Sequence, residues 1–207
     1  MYLSRIAIDL LNRNTLRALD NLEIMHGIVE SCFGEVTERV LWRLDELRGE
    51  TYLLLLSTSK PDFARLAAQI GKPGNSGEIR DYEPLLKRTV ADTTWRFRLK
   101  ANPVMSVPGK LNHRGKIKAI TIAAHQRSWL ERQGKNHGFT VVPDQFDVVR
   151  SEWHIFRNKG RTISLLGVTF EGVLTITDTE LFQKAMKEGI GRGKAYGMGM
   201  LTVVSYG

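Results

Sequence analysis

The twelve residues Gly189-Ile-Gly-Arg-Gly-Lys-Ala-Tyr-Gly-Met-Gly-Met200 place five glycines, at 189, 191, 193, 197 and 199, around Arg192 and Lys194. Glycine accepts positive φ and lets another backbone approach closely, so the run suits a loop that meets phosphate. Two nucleotide-binding loops fail on spacing. A P-loop ending at Gly193-Lys194 needs glycine where Glu188 stands and a hydroxyl residue where Ala195 stands. The G-x-G-x-x-G pattern meets Lys194 when started at Gly189 and Tyr196 when started at Gly191. Both motifs also run from strand to helix, whereas this run follows a predicted helix and leads into a predicted strand. On the residues alone it reads either as a phosphate-contacting loop or as a helix C-cap with an irregular connection.

Outward from the run, the same element order appears twice. In the first half, Tyr2–Leu10 alternates as a strand, and Asp20 with Glu23 reads as a capping box opening a helix to Cys32, with Leu22, Met25 and Val29 as its apolar stripe. Val40–Asp45 and Thr51–Ser57 form a hairpin about Gly49, Ser59 caps a second helix ending at Gly71, and Ile79–Leu86 supplies the last strand. In the second half, Trp95, Phe97 and Leu99 alternate with Arg96, Arg98 and Lys100 in a strand with one apolar and one basic face. A loop over Asn102–Gly115 precedes a helix over Ile122–Gln133. Phe146–Phe156 and Thr162–Ile176 form a hairpin with a basic tip at Arg157, Lys159 and Arg161. Thr177 and Glu180 cap a helix to Glu188, and Met200–Ser205 closes the chain as a strand. The expectation is an α+β chain of two tandem ferredoxin-like (RRM-like, β-α-β-β-α-β) domains, residues 1–88 and 89–207. The duplication rests on element order, since the halves share no obvious identity.

Composition bounds the function. The chain has 207 residues, and 30 Lys and Arg against 22 Asp and Glu leave a net charge of +8, pointing to a polyanionic partner such as nucleic acid. No apolar run is long enough for a membrane span, the N-terminus lacks the pattern of a signal peptide, and the single Cys32 forbids an internal disulfide; a cytoplasmic protein is expected. Five dispersed histidines and one cysteine give no zinc-ligand spacing, so no metal or cofactor is implied.

Four segments in order, MYLSRI at the start, WRFRLKANPV (95–104), FEGVLTI (170–176) and GIGRGKAYGMGM (189–200), resemble the CasE family of CRISPR-associated endoribonucleases. The resemblance spans almost the whole chain. It implies metal-independent cleavage of CRISPR precursor RNA at the repeat hairpin, with the product kept within the Cascade complex beside its other subunits.

Such cleavage uses the substrate's own 2′-hydroxyl and leaves a 2′,3′-cyclic phosphate, so the protein must orient groups, move protons and stabilise charge. His26 matches the family's catalytic position; without the resemblance, a histidine beside Leu22 and Val29 reads first as a core residue. Glu23 and Glu30 lie one helical turn to either side of it. Family members often carry tyrosine where this chain has Glu23, which leaves the partner of His26 unassigned. Lys194 and Arg192 are candidates for phosphate stabilisation. The RNA-binding set is Arg96, Arg98, Lys100, Lys110, Arg114, Lys116 and Lys118, the tip residues Arg157, Lys159 and Arg161, and Gly189, Gly191, Arg192, Gly193, Gly197 and Gly199 of the run. The hairpin tip is expected to lie apart from the reacting phosphate. Two other classes remain open on the residues: a non-catalytic RNA-binding subunit, which has no need of His26, and a small-molecule enzyme indifferent to RNA.

Overall fold

The alternation at the N-terminus produces strand β1 (Tyr2–Ala7), which turns Ser4 and Ile6 inward. The computed structural model describes residues 1–34, 39–108 and 115–206. After β1 come helices α1 (Arg13–Asp20) and α2 (Leu22–Ser31), strands β2 (Leu41–Leu47) and β3 (Glu50–Ser57), helix α3 (Phe63–Ile70), strand β4 (Glu78–Asp81) and a short helix α4 (Glu83–Leu86). These strands form one antiparallel sheet in the order β2-β3-β1-β4.

The second half repeats the arrangement. Strand β5 (Thr94–Ala101), a small hairpin of β6 (Val104–Val107) and β7 (Lys116–Ala119), helix α5 (Ala123–Asn136), strands β8 (Phe139–Asn158) and β9 (Arg161–Ile176), helix α6 (Thr179–Glu188) and strand β10 (Leu201–Ser205) follow in sequence. Their main sheet is ordered β10-β5-β9-β8. In each half the outer pairing therefore places the first and third strands at the centre, with helices between first and second and between third and fourth.

Several local expectations change. Asp20 ends α1 instead of opening α2; the cap of α2 is Asn21, whose side chain accepts from Glu23 N–H at 3.0 Å. Aspartates also displace the expected caps further on: Asp62 instead of Ser59 for α3, and Asp178 instead of Thr177 for α6. In each case the side-chain oxygen nearer the first turn takes the free N–H. The expected strand Ile79–Leu86 is divided between β4 and α4, with Pro84 in the first turn of the helix, where its missing N–H costs nothing. The stretch Asn102–Gly115 is not all loop, since Val104–Val107 pairs with Lys116–Ala119.

Two apolar clusters interlock. One joins Ile6, Leu53 and Leu55 to α2 and α3 through Met25, Val29 and Leu66, and takes in Phe156 from β8. The other surrounds Phe97, Leu99, Phe139, Phe170 and Phe182 and takes in Leu41 and Leu56 from the first half. Between them runs Arg43 of β2, buried to 2% side-chain exposure. It donates to the carbonyls of Arg98 (3.0 Å) and Met200 (2.9 Å) and to Thr202 Oγ1 (2.8 Å), and pairs with both oxygens of Asp45 at 2.8 and 2.6 Å. One side chain of the first sheet thus satisfies backbone of β5 and of the segment entering β10, which fixes where the glycine run stands against the first half.

Candidate active site

The glycine run begins as the C-cap of α6, where Gly189 adopts φ 75° and its N–H reaches Ala185 O at 2.8 Å. The C-cap reading is therefore right for its first residue. Beyond it the run closes on itself through Ile190 N–H to Gly199 O at 2.9 Å, and a single 3-10 turn, Lys194–Tyr196, stands at its crest. Trp42 of β2 holds that crest: its indole N–H donates to Ala195 O at 3.0 Å. Its ring leaves no room at Gly197, where a Cβ would lie 2.5 Å from Cζ3, and Gly197 has φ 74°. Glycine is required there on both counts.

This anchoring brings together the two residues singled out for chemistry. His26 and Lys194, 168 positions apart in the sequence, line one pocket of about 310 Å³ with Val29, Glu30, Arg39, Val40 and Ala195. The His26 side chain is 28% exposed, and its Nε2 lies 3.3 Å from Glu30 Oε1, one helical turn on. Burial and the Arg39 charge hold the Lys194 ammonium below its ordinary pKa, while Glu188 pulls the other way.

A tyrosine stands beside His26, and it comes from the glycine run. The rings of Tyr196 and His26 meet edge-on, with centroids 6.2 Å apart and planes at 70°. Phe156 packs on Tyr196 at 4.9 Å. The Tyr196 hydroxyl donates to Glu23 Oε2 at 3.1 Å, and Asn158 Nδ2 lies 2.7 Å from the same carboxylate oxygen and 3.0 Å from the phenol. Glu23 is thus occupied by a tyrosine and an amide. Sequence reading missed Tyr196, Asn158, Arg39 and Trp42. Tyr196 had one usable signal, as the only aromatic in the glycine run; Asn158, Arg39 and Trp42 become visible only through tertiary contact.

The basic residues fall into distinct settings. Arg98 is paired with Asp45 at 3.3 Å and Glu171 at 2.7 Å, and Lys100 with Glu152 at 2.9 Å, so the inner part of the β5 basic face is neutralised within the protein. Arg96 is exposed and stacks over Tyr206, 5.8 Å from its ring centre. Lys116 and Lys118 are exposed on β7, and Arg157, Lys159 and Arg161 at the tip of β8–β9. Lys110 and Arg114 lie outside the described residues. Arg192 has its backbone bridged to Asn102. Of the other run glycines, Gly191 and Gly193 also have positive φ, at 83° and 81°, and Gly199 donates its N–H to Lys100 O at 2.6 Å. The hairpin tip is not remote from His26: Asn21, the cap of α2, reaches Arg157 O at 3.5 Å, and Asn158 meets Glu23 on the same helix.

A family model described as CRISPR associated protein matches residues 1–204. The chain belongs to that family. This CRISPR-associated protein is 30% identical over 222 aligned positions, gaps included, to the CRISPR-associated endoribonuclease Cse3 of Thermus thermophilus, covering 98% of this chain and 99% of the relative. It is 30% identical over 114 residues to the Cascade subunit CasE of Escherichia coli, covering 52% of this chain and 56% of the relative. Among solved structures it resembles Cse3 bound to a 19-nucleotide RNA, with a TM-score of 0.82 and 26% identity over 99% of this chain and 100% of that one. Among the described residues of the CRISPR-associated protein, no group of three His, Cys, Asp or Glu is placed to hold a metal, and no helix is long and apolar enough to cross a membrane.

Proposed function

We propose that the protein is a metal-independent endoribonuclease that cuts CRISPR precursor RNA at the repeat hairpin and stays bound to the product among the other subunits of a cytoplasmic Cascade complex. The observation that carries the reading is the convergence of His26 and Lys194 on one pocket, in a chain whose relatives are named endoribonucleases. The 2′-oxygen attacks the adjacent phosphorus and the bond to the 5′-oxygen breaks, leaving a 2′,3′-cyclic phosphate and a 5′-hydroxyl. The 2′-hydroxyl loses a proton and the departing 5′-oxygen gains one; His26, an imidazole within reach of the pocket, moves one of them. Lys194 and Arg39, which line the same pocket, supply positive charge against the charge that builds on the phosphorane. Lys116, Lys118, Lys159 and Arg161 hold the duplex by its phosphates.

The strand orders support reading the two sheets as tandem ferredoxin-like units, residues 1–88 and 89–207, with the pocket formed where α2 of the first meets the glycine run of the second. The test mixes wild type and His26→Ala with repeat RNA in excess chelator. Wild type should cut once per repeat without added metal, and His26→Ala should be slowed by about 10²–10⁴-fold with little change in affinity. Cleavage that needs restored magnesium, with the RNA fold unchanged, overturns the metal-independent mechanism. A folded His26→Ala variant that cuts at the wild-type rate returns His26 to the core.

A further inference from the structure

We propose that Tyr196, Glu23 and Asn158 form a hydrogen-bonded clasp that fixes the orientation of the His26 ring, with Tyr196 as a positioning residue; this rests on the reading of His26 as the proton-transfer group. The clasp joins three elements distant in sequence: helix α2, the end of β8 and the 3-10 turn of the glycine run.

The hydrogen count decides what Tyr196 can do. The Asn158 amide nitrogen donates into the pair, lying 2.7 Å from Glu23 Oε2 and 3.0 Å from the Tyr196 oxygen. The phenol has one proton, directed to Glu23 Oε2 at 3.1 Å. Burial, with the Glu23 carboxylate acting in the same direction and Asn158 against it, holds the phenol above its ordinary pKa, so that proton is retained at neutral pH. Its single donor is therefore engaged, and the phenol is not free to donate to a phosphate while the clasp is closed.

Its ring remains available for a different task. His26 touches Glu30 on one side and the Tyr196 ring on another. Glu30 is 65% exposed, and an exposed ion pair at helical spacing locates a side chain weakly. An edge-on aromatic contact whose own ring is wedged against Phe156 and tied at its hydroxyl locates it more firmly. The mechanism is sensitive to such location, because small misplacements of a proton-transfer group cost rate. Glu23, which as a lone carboxylate beside a phosphate would be unfavourable, acquires a role as the acceptor that both other members share.

The experiment compares Tyr196→Phe, Asn158→Ala and the matching double variants with His26→Ala, all as full chains with repeat hairpin RNA. Saturated single-turnover rates, Kd and the three-bond couplings that report the His26 χ1 rotamer are measured. Tyr196→Phe and Asn158→Ala should each slow cleavage by about tenfold, the loss expected for one directed hydrogen bond. Kd should be unchanged, the His26 couplings should move toward rotamer averaging, and neither substitution should slow the His26→Ala protein further. Glu23→Gln keeps an acceptor oxygen and should retain most of the rate that Glu23→Ala loses. The proposal is overturned if Tyr196→Phe slows the His26→Ala protein by the same factor as wild type, or if rate and couplings are both unchanged. It is also overturned if Glu23→Gln is as slow as Glu23→Ala, which would make charge the operative property. A His26→Ala protein that cuts at the wild-type rate refutes the proton-transfer reading instead, and the couplings still report independently whether the clasp holds the ring.

Discussion

Replacing Arg43 with methionine keeps most of the side-chain length and removes every donor. The substitution strips the Met200 carbonyl of the Arg43 donor and leaves Asp45, 15% exposed, without its bidentate partner. Breaking a buried ion pair by removing one member costs about 3–5 kcal/mol. Two features of the network favour the lower end: Asp45 keeps Arg98 at 3.3 Å, and the Arg98 carbonyl keeps Thr202 Oγ1 at 3.3 Å. A loss of about 3 kcal/mol is therefore expected, and for a chain of this size a fall in Tm of roughly 6–12 °C. Urea unfolding, fitted with a common slope, measures it directly. Because Met200 ends the glycine run, the saturated cleavage rate of the folded fraction should also fall. A loss below about 1 kcal/mol would mean that the desolvation of Arg43 cancels its bonds, and Arg43 would not be what holds the two sheets together.

Lys194→Ala should lower the saturated cleavage rate by about 10²–10³-fold, more than it lowers affinity, because a contact to developing charge appears in the rate. A variant that loses only affinity would make the glycine loop a docking surface. Lys116→Ala should weaken binding and make the salt dependence shallower by about one unit at most, with saturated cleavage nearly normal; an unchanged slope removes that cation from the interface. His154→Gln addresses pH. Burial, then the Lys100 and Arg150 charges, hold the His154 imidazole below its usual 6.5, while the Glu152 carboxylate opposes them. The unfolded chain then binds more protons than the folded one just below pH 6.5, so the wild type should gain stability as pH rises up to that value, and the glutamine variant should lose this part of the slope. Equal slopes in urea titrations of both proteins would contradict the assignment.

What could be read in the chain followed from periodicity. The alternation of Trp95, Phe97 and Leu99 became β5, the stripe of Leu22, Met25 and Val29 became the buried side of α2, and the element order emerged twice. Caps were less legible, because neighbouring residues such as Asp20 and Asn21, or Thr177 and Asp178, offer the same chemistry and only backbone geometry chooses between them. The basic face of β5 was legible as charge, yet Asp45, Glu152 and Glu171, from three other strands, pair with Arg98 and Lys100. Those pairs depend on strand order and register, which local pattern does not determine. At the site, His26 and Lys194 could each be proposed from residue type and resemblance. Their meeting depends on Trp42 gripping the carbonyl of Ala195 and on Arg43 fixing the end of the run, contacts spanning 153 and 157 positions. Tyr196 was present in the first motif quoted, but its bearing on His26 needed the fold that carries one to the other.

If the RNA's own 2′-hydroxyl is the nucleophile, removing that one oxygen must stop cleavage. The most direct measurement uses a repeat hairpin RNA carrying a single 2′-deoxy nucleotide immediately 5′ of the mapped scissile phosphate, incubated with the wild-type protein in excess chelator beside the all-ribose RNA. Both RNAs should bind equally, the all-ribose RNA should be cut to a fragment ending in a 2′,3′-cyclic phosphate, and the deoxy RNA should stay intact. Cutting of the deoxy RNA at the same phosphate and a comparable rate would contradict that role of the 2′-hydroxyl, because the attacking oxygen would then have to come from elsewhere.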